Sequence, residues 1–290
     1  MLLQPNSTQV TQMPELPEIE CLARSVRMSA LGGSITQAKF FRSDLRWKIP
    51  VDTIEDVVVG RKILEVTRRS KYLLLRTDAG FAVMHLGMSG QLLEQSSPEL
   101  SLPHTHAVME LHDSRGEQRW LHFVDPRRFG QITAVRGSDL SKDKLFRKLG
   151  PEPLDPEFDL ATHLHDLSRE RTVAIKNFIM DAHVVVGVGN IYASEALFRA
   201  GLRPQRKAGT IRRVDAVNLA AAIRETLSEA VAAGGTTFRD YRHTDGSSGW
   251  FKVQLAVYGR RGEPCPKCGE KVREIRLGGR SSAFCAICQK

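Results

Sequence analysis

Residues 184–201, VVVGVGNIYASEALFRAG, decide how the chain is read. An apolar run meets two glycines, Gly187 and Gly189, and then a helical pattern closed by Gly201. Glycines just ahead of a helix permit a tight turn and the close approach of another backbone or a ligand. Asn190 is placed as an N-cap. It leaves the first N–H groups of the helix pointing outward, where they attract an anion such as a DNA phosphate. On the other side, SRERTVAIKNFIMD (168–181) reads as a helix carrying Lys176. Two helices around a glycine turn make a helix–turn–helix-like unit, and a packed helical hairpin without a ligand is the plain alternative.

The helical pattern spreads from about 159 to about 233. Its clearest member is AVNLAAAIRETLSEAVAAGG (216–235), stopped by Gly234 and Gly235. Ahead of it, LGPEPLDPEFD holds three prolines and reads as an interdomain hinge. Between about 34 and 135 the periodicity changes to short apolar runs broken by Gly and Asp, which predicts strands packed as a β-sandwich or small barrel. One helix precedes them. It begins near Pro17, where a missing N–H does no harm, aligns Ile19, Leu22, Ala23 and Val26 on one face, and stops at Gly32-Gly33.

Near the C-terminus, Cys265-x2-Cys268 and Cys285-x2-Cys288 are separated by 16 residues. Two such pairs on tight turns offer four thiolates to one tetrahedral ion, the zinc-ribbon pattern, and four protein ligands make that zinc structural. An iron–sulfur cluster also takes four thiolates, but the two-pair hairpin spacing suits zinc better. Cys21 stands apart and reads as a small buried hydrophobe. The last 36 residues hold eight Lys and Arg against three Glu, and Arg280 lies between GG and SS at the presumed ribbon turn.

The expected fold class is therefore α+β: an N-terminal β-sandwich with packed helices, a helical two-helix–turn–helix domain and a C-terminal zinc-ribbon β-hairpin. The expected segments are 1–13 as a disordered extension, 14–145, a hinge over 146–158, 159–235, a loop over 236–254 and 255–290. Lys and Arg total 42 against 33 acids, a formal charge of +9 with pI near 9.5. That balance favours nucleic acid or an anionic membrane surface as partner. No apolar run approaches the ~20 residues of a membrane span, and the first 13 residues lack the features of a signal peptide, so the expectation is a cytoplasmic protein with reduced thiols.

Several motifs now agree in order: MPELPEIE, RRSKYLLL, HLGMSG, DPRRFG, VVGVGNIYASE and the final cysteine module. Together they resemble the bacterial formamidopyrimidine-DNA glycosylases, from Pro14 to Lys290. The resemblance implies a monomeric enzyme that excises oxidised purines from damaged double-stranded DNA and then cuts the strand at the abasic site, with one structural Zn2+. Its nucleophile would be the amine of Pro14, with Glu15 moving protons and Lys71 near the lesion phosphate. Met88, Arg127 and Phe129 would fill the gap left by an everted base, although ordinary core is the bland reading of the two apolar ones. Arg128, Lys176, Asn190 and Arg280 would meet phosphates, with Glu18 and Glu195 supporting. Residues 236–254 would cap the lesion. His85 and His106 read equally as phosphate contacts or structural histidines.

The chemistry suits a terminal proline. An α-amino group titrates near pH ~8 and is partly unprotonated at neutral pH, whereas a lysine near ~10.4 needs strong desolvation. Thirteen residues precede Pro14, however, and an internal proline nitrogen is an amide. Either translation starts at Met13, which stands directly before it, or the tail is removed. Two competitors stay open. An endonuclease VIII-like glycosylase for oxidised pyrimidines usually begins PEGPE, where this chain has Leu16. A non-catalytic zinc-ribbon DNA-binding protein is the other, if the extension is retained.

Overall fold

The computed structural model describes residues 13–99, 102–235 and 255–290. The extension through residue 12 and the expected capping segment at 236–254 lie outside the described residues.

The N-terminal domain opens with helix α1 (Leu16–Ala30), then strand β1 (Ser34–Phe40), helix α2 (Val51–Val58), and strands β2 (Arg61–Lys62), β3 (Glu65–Arg69), β4 (Tyr72–Arg76), β5 (Gly80–His85), β6 (Gln91–Gln95), β7 (Thr105–His112), β8 (Gln118–Val124) and β9 (Gln131–Arg136). They form two antiparallel sheets, ordered β2-β1-β7-β8-β6 and β3-β4-β5-β9. The expected sandwich is what forms. Strand alternation builds its core: Leu73, Leu75, Ala82 and Met84 join Ile19, Leu22, Val26, Met109 and Phe123 between the layers. The intervening residues Leu74, Phe81 and Val83 pack on the other face against Val135 and Phe146. Burial on both faces is why YLLL and FAVM are continuous apolar runs rather than alternating ones.

Helices α3 (Leu160–Ser168), α4 (Ile175–Ile179), α5 (Asn190–Arg199) and α6 (Arg213–Ala232) make the second domain. Its core includes Tyr192, Leu197, Leu219 and Ile223. Leu16 belongs to this core, while Ile19, three residues on, belongs to the sandwich. The first turn of α1 is thus the joint between the domains.

Two sequence readings change here. The expected helix over 168–181 shrinks to α4, because Arg171 and Val173 accept hydrogen bonds from Gly209 and Ala208, and Ala174 bridges Lys207 in an extended pairing. Adjacent Thr172 and Val173 are β-branched and suit that conformation. The expected hinge is also held more firmly than its prolines suggest. Phe146 is buried on the outer face of the four-stranded sheet, and residues 149–152 are hydrogen-bonded on both sides.

The third unit is a hairpin of β10 (Arg273–Leu277) and β11 (Arg280–Phe284). Gly278 and Gly279 form its two-residue turn, both at positive φ, as tight hairpins require. Phe198 of α5 enters its small core beside Cys265 and Cys285. The Lys290 N–H donates to the Gly201 carbonyl, and Arg203 donates to the carbonyls of Ala286 and Gln289. No helix among the described residues is long and apolar enough to cross a membrane.

Candidate functional site

The site grows from the start of α1. Pro14 is buried there. The Glu15 carboxylate accepts the backbone N–H of Gly189 at 2.8 Å, Ile191 at 3.0 Å and Tyr192 at 3.3 Å. Its own N–H donates to Glu18 at 2.9 Å, and the Tyr192 hydroxyl donates to the other Glu18 oxygen at 2.6 Å. The turn glycines have a steric purpose. A Cβ on Gly189 would lie 2.1 Å from the Glu15 carboxyl carbon, and one on Gly187, at φ +81°, 2.4 Å from Leu16. The anion at this helix N-terminus is therefore Glu15, and the expectation that these N–H groups hold a DNA phosphate is corrected. Asn190 is likewise the first residue of α5, with Gly189 as its N-cap. Burial raises the Glu15 carboxyl above the usual carboxylate value, against the pull of Lys71 and of the helix N–H groups. Such a carboxyl holds a proton more readily than an exposed one.

Lys71 stands in the β3–β4 turn directly after Ser70, whose φ is +57°. Burial lowers its amine below the lysine norm, with Glu15 opposing and Arg280 assisting. Lys71 thus feels two charges, Glu15 at the start of α1 and Arg280 from the ribbon turn. Arg280 is exposed at the ribbon turn, in keeping with a phosphate contact. Lys176 is different. It is 1% exposed, and its Nζ donates to the Ser281 carbonyl at 2.6 Å and to Ser282 Oγ at 2.9 Å. Burial lowers it to about 8. These two bonds tie α4 to the strand beginning at Arg280.

Two loops pack together above the sandwich. Asp125, fully buried, accepts from Ser89 Oγ at 2.7 Å and from the Gly130 N–H at 2.7 Å, so one carboxylate shapes DPRRFG and links it to HLGMSG. A Cβ on Gly87, at φ +62°, would lie 2.4 Å from the Phe129 backbone. Arg128 is left-handed at φ +58°. Met88 is half-buried and Arg127 and Arg128 are exposed. Phe129 is 42% exposed, with the Arg127 guanidinium 4.9 Å from its ring centre. The bland reading of Phe129 as core does not hold. His106 is buried, with Nε2 2.8 Å from the Asp125 carbonyl. His85 accepts the Gly87 N–H on Nδ1 at 3.0 Å and packs on Tyr72. That bond puts its proton on Nε2. Burial, with Lys71 and Arg46 nearby, lowers it to about 4, so it is neutral at ordinary pH.

Glu195 accepts three consecutive N–H groups, from Ala256, Val257 and Tyr258, at 2.7 to 3.0 Å. It thereby sets the Tyr258 hydroxyl 3.4 Å from the Asn190 amide. Tyr258 and Glu152 were missed by the sequence reading. Neither lies in a chemically marked motif, and only long-range contacts reveal them. Cys265, Cys268, Cys285 and Cys288 bring their sulfurs within 4.8 Å of one another. Tetrahedral Zn–S bonds of ~2.3 Å require sulfurs ~3.8 Å apart, so the four fit one structural zinc ion.

Family models match three segments: the formamidopyrimidine-DNA glycosylase N-terminal domain over 13–132, the formamidopyrimidine-DNA glycosylase H2TH domain over 149–242, and a zinc finger found in FPG and IleRS over 262–290. The formamidopyrimidine-DNA glycosylase of Alkalilimnicola ehrlichii is 45% identical over 284 residues, covering 96% of this chain and 100% of its own. That of Marinobacter nauticus is 44% identical over 278 residues, with the same coverages. Among solved structures, the MutM (Fpg) protein of Thermus thermophilus matches with TM-score 0.81 at 40% identity, over 95% of this chain and 98% of its own. Lactococcus lactis Fpg in complex with DNA containing an abasic site matches with TM-score 0.84 at 27% identity, over 95% and 99%. Fold, buried carboxylate and cysteine cluster together define a zinc-bearing DNA glycosylase of base excision repair. The chain belongs to the formamidopyrimidine-DNA glycosylase family.

Proposed function

We propose that this chain excises oxidised purines, formamidopyrimidines and 8-oxoguanine, from duplex DNA with Pro14 as the nucleophile. The observation that carries the proposal is the Glu15 cradle. It seats the residue next to Pro14 at the joint of two domains, with Lys71 acting on it and Arg280 acting on Lys71. The Pro14 nitrogen, once a free secondary amine, attacks C1′ of the everted nucleotide, and the base leaves with the bonding electrons. The adduct opens to an iminium as the C1′–O4′ bond breaks and the ring oxygen takes a proton, and that iminium acidifies the C2′ proton. Loss of that proton and of the 3′ phosphate, then of the 5′ phosphate, gives β,δ-elimination. Glu15, with its raised proton affinity, moves protons at the sugar. Lys71 holds the lesion phosphate and helps keep the amine unprotonated. Met88, Arg127 and Phe129 fill the vacated stack. Arg128, Asn190 and Arg280 grip phosphates, Glu18 and Glu195 brace the site, and residues 236–254 cap the lesion. The protein works as a monomer on chromosomal DNA in the cytoplasm.

The chemistry requires a free Pro14. Supporting that requirement, the family match begins at residue 13. Protein beginning at Pro14 is expected to be trapped covalently on lesion duplex by borohydride, which reduces the iminium. Protein that keeps residues 1–13 is expected to bind the same DNA without a trapped adduct. Equal trapping, with the longer N-terminus confirmed intact, would exclude Pro14 and turn attention to Lys71. Comparing excision of 8-oxoguanine opposite cytosine with that of thymine glycol tests the substrate class.

A further inference from the structure

The linker between the domains touches both halves of the site. On one side, the Glu152 carboxylate accepts from three consecutive residues, the last two of β3 and the first of the β3–β4 turn. Oε2 takes Arg68 Nη1 at 2.5 Å, and Oε1 takes both Arg69 Nη1 and the Ser70 backbone N–H at 2.8 Å. The Gly150 carbonyl accepts the other guanidinium nitrogen of Arg69 at 2.6 Å. Arg68 also meets Glu20 of α1 at 3.0 Å. On the other side, the Gly150 N–H donates to the Ala182 carbonyl at 2.8 Å, and the Pro151 carbonyl accepts the Val186 N–H at 3.2 Å. A Cβ on Gly150 would stand 2.7 Å from the Val184 carbonyl group, so the linker backbone lies flat on the α4–α5 turn. That same turn supplies Gly187 and Gly189 to Leu16 and Glu15.

We propose that Glu152 is a positioning residue, and that residues 149–152 form a bracket fixing Lys71 relative to Glu15. Both active-site groups hang from the same short piece of chain. The residue the bracket grips last, Ser70, directly precedes Lys71 and is held in the left-handed region that serine disfavours. This is not a solvated surface pair. The Arg68, Arg69 and Glu152 side chains are only 9%, 26% and 24% exposed, and one carboxylate is shared by three donors. Movement of the linker therefore shifts Lys71 and the Glu15 cradle together, and a broken bracket lets their spacing drift. The proposal rests on the reading of Lys71 and Glu15 given above.

The test is a double-mutant cycle in protein beginning at Pro14, a form that spans nearly all of the family match. Glu152→Ala is expected to slow single-turnover excision from saturating lesion duplex by about ten- to a hundredfold, the scale of an ångström of misplacement. Affinity for undamaged duplex should stay within about twofold, because the phosphate-facing arginines are untouched. Adding Glu152→Ala to Lys71→Ala is expected to change the already slow rate by less than about twofold, since the group being positioned is gone. Glu152→Gln, which still accepts from Ser70, is expected to recover most of the rate. Should Glu152→Ala unfold the protein, Arg69→Lys replaces it in the cycle, because it keeps the charge but loses the two-pronged grip. Losses that multiply in the double variant overturn the bracket while leaving the reading of Lys71 intact. An unchanged rate in Lys71→Ala alone removes the reading of Lys71, and the bracket with it.

Discussion

At the scale of single residues, the site depends on groups that lack side chains as much as on those that carry charge. Gly189 is the sharpest case, because the space a Cβ would need is filled by the Glu15 carboxyl carbon at 2.1 Å. Gly189→Ala must push Glu15 out of its three N–H bonds or shift the α5 N-terminus. Overpacking of this kind costs about 1–3 kcal/mol. The expected outcome is a lower unfolding temperature together with excision slowed by at least about tenfold, read by thermal unfolding and single-turnover assays. A parental excision rate in this variant would mean that Glu15 does its work elsewhere. The glycines were visible in VGVGN as markers of close approach. What approaches them was not, because Glu15 lies 174 residues away in sequence from Gly189.

Among elements, the two loops HLGMSG and DPRRFG behave as one body, joined through Asp125, Ser89 and the Gly87–Phe129 contact. The wedge proposed above must be stiff to resist the stacked bases it replaces, and a buried carboxylate holding a loop from within stiffens it. Phe129→Ala is expected to slow excision of a paired lesion more than cleavage of a preformed abasic site, where no base has to be extruded. Excision and abasic-site cleavage assayed side by side check this, and equal slowing on both substrates would point to a packing role. The motif DPRRFG suggested a wedge through family likeness. Its aspartate was not singled out, since an acid in a loop sequence does not show whether it faces water or its own backbone amides.

For the molecule as a whole, the cysteine module is a structural partner of the helical domain rather than an appendage. Phe198 enters its core, Lys176 bonds its second strand, and Arg203 closes on its last residues. Four thiolates and one zinc ion stand in for an apolar core that so short a segment is too small to build. Removing the metal with a chelator, or Cys268→Ala, is expected to release Arg280 and abolish DNA binding, while the sandwich keeps its own unfolding transition. Binding assays and far-ultraviolet dichroism during heating read the two effects separately, and full DNA affinity in metal-free protein would refute the structural role.

Short-range patterning along the chain encodes only local features. Alternating and helical periodicities, paired cysteines at fixed spacing and glycine stops are local rules, and they delivered the sandwich, the long α6, the zinc ligands and the turn before α5. Which groups meet follows from the folded arrangement. It put a carboxylate where a phosphate was expected on α5, buried Lys176 under the ribbon, turned His106 inward, shortened the helix at 168–181 by pairing its start with 207–209, and made a bracket of the proline-rich linker. The physical reason is the same each time. A hydrogen-bonding group buried by the fold must find a partner, and that partner is chosen by proximity in space, which local sequence does not record.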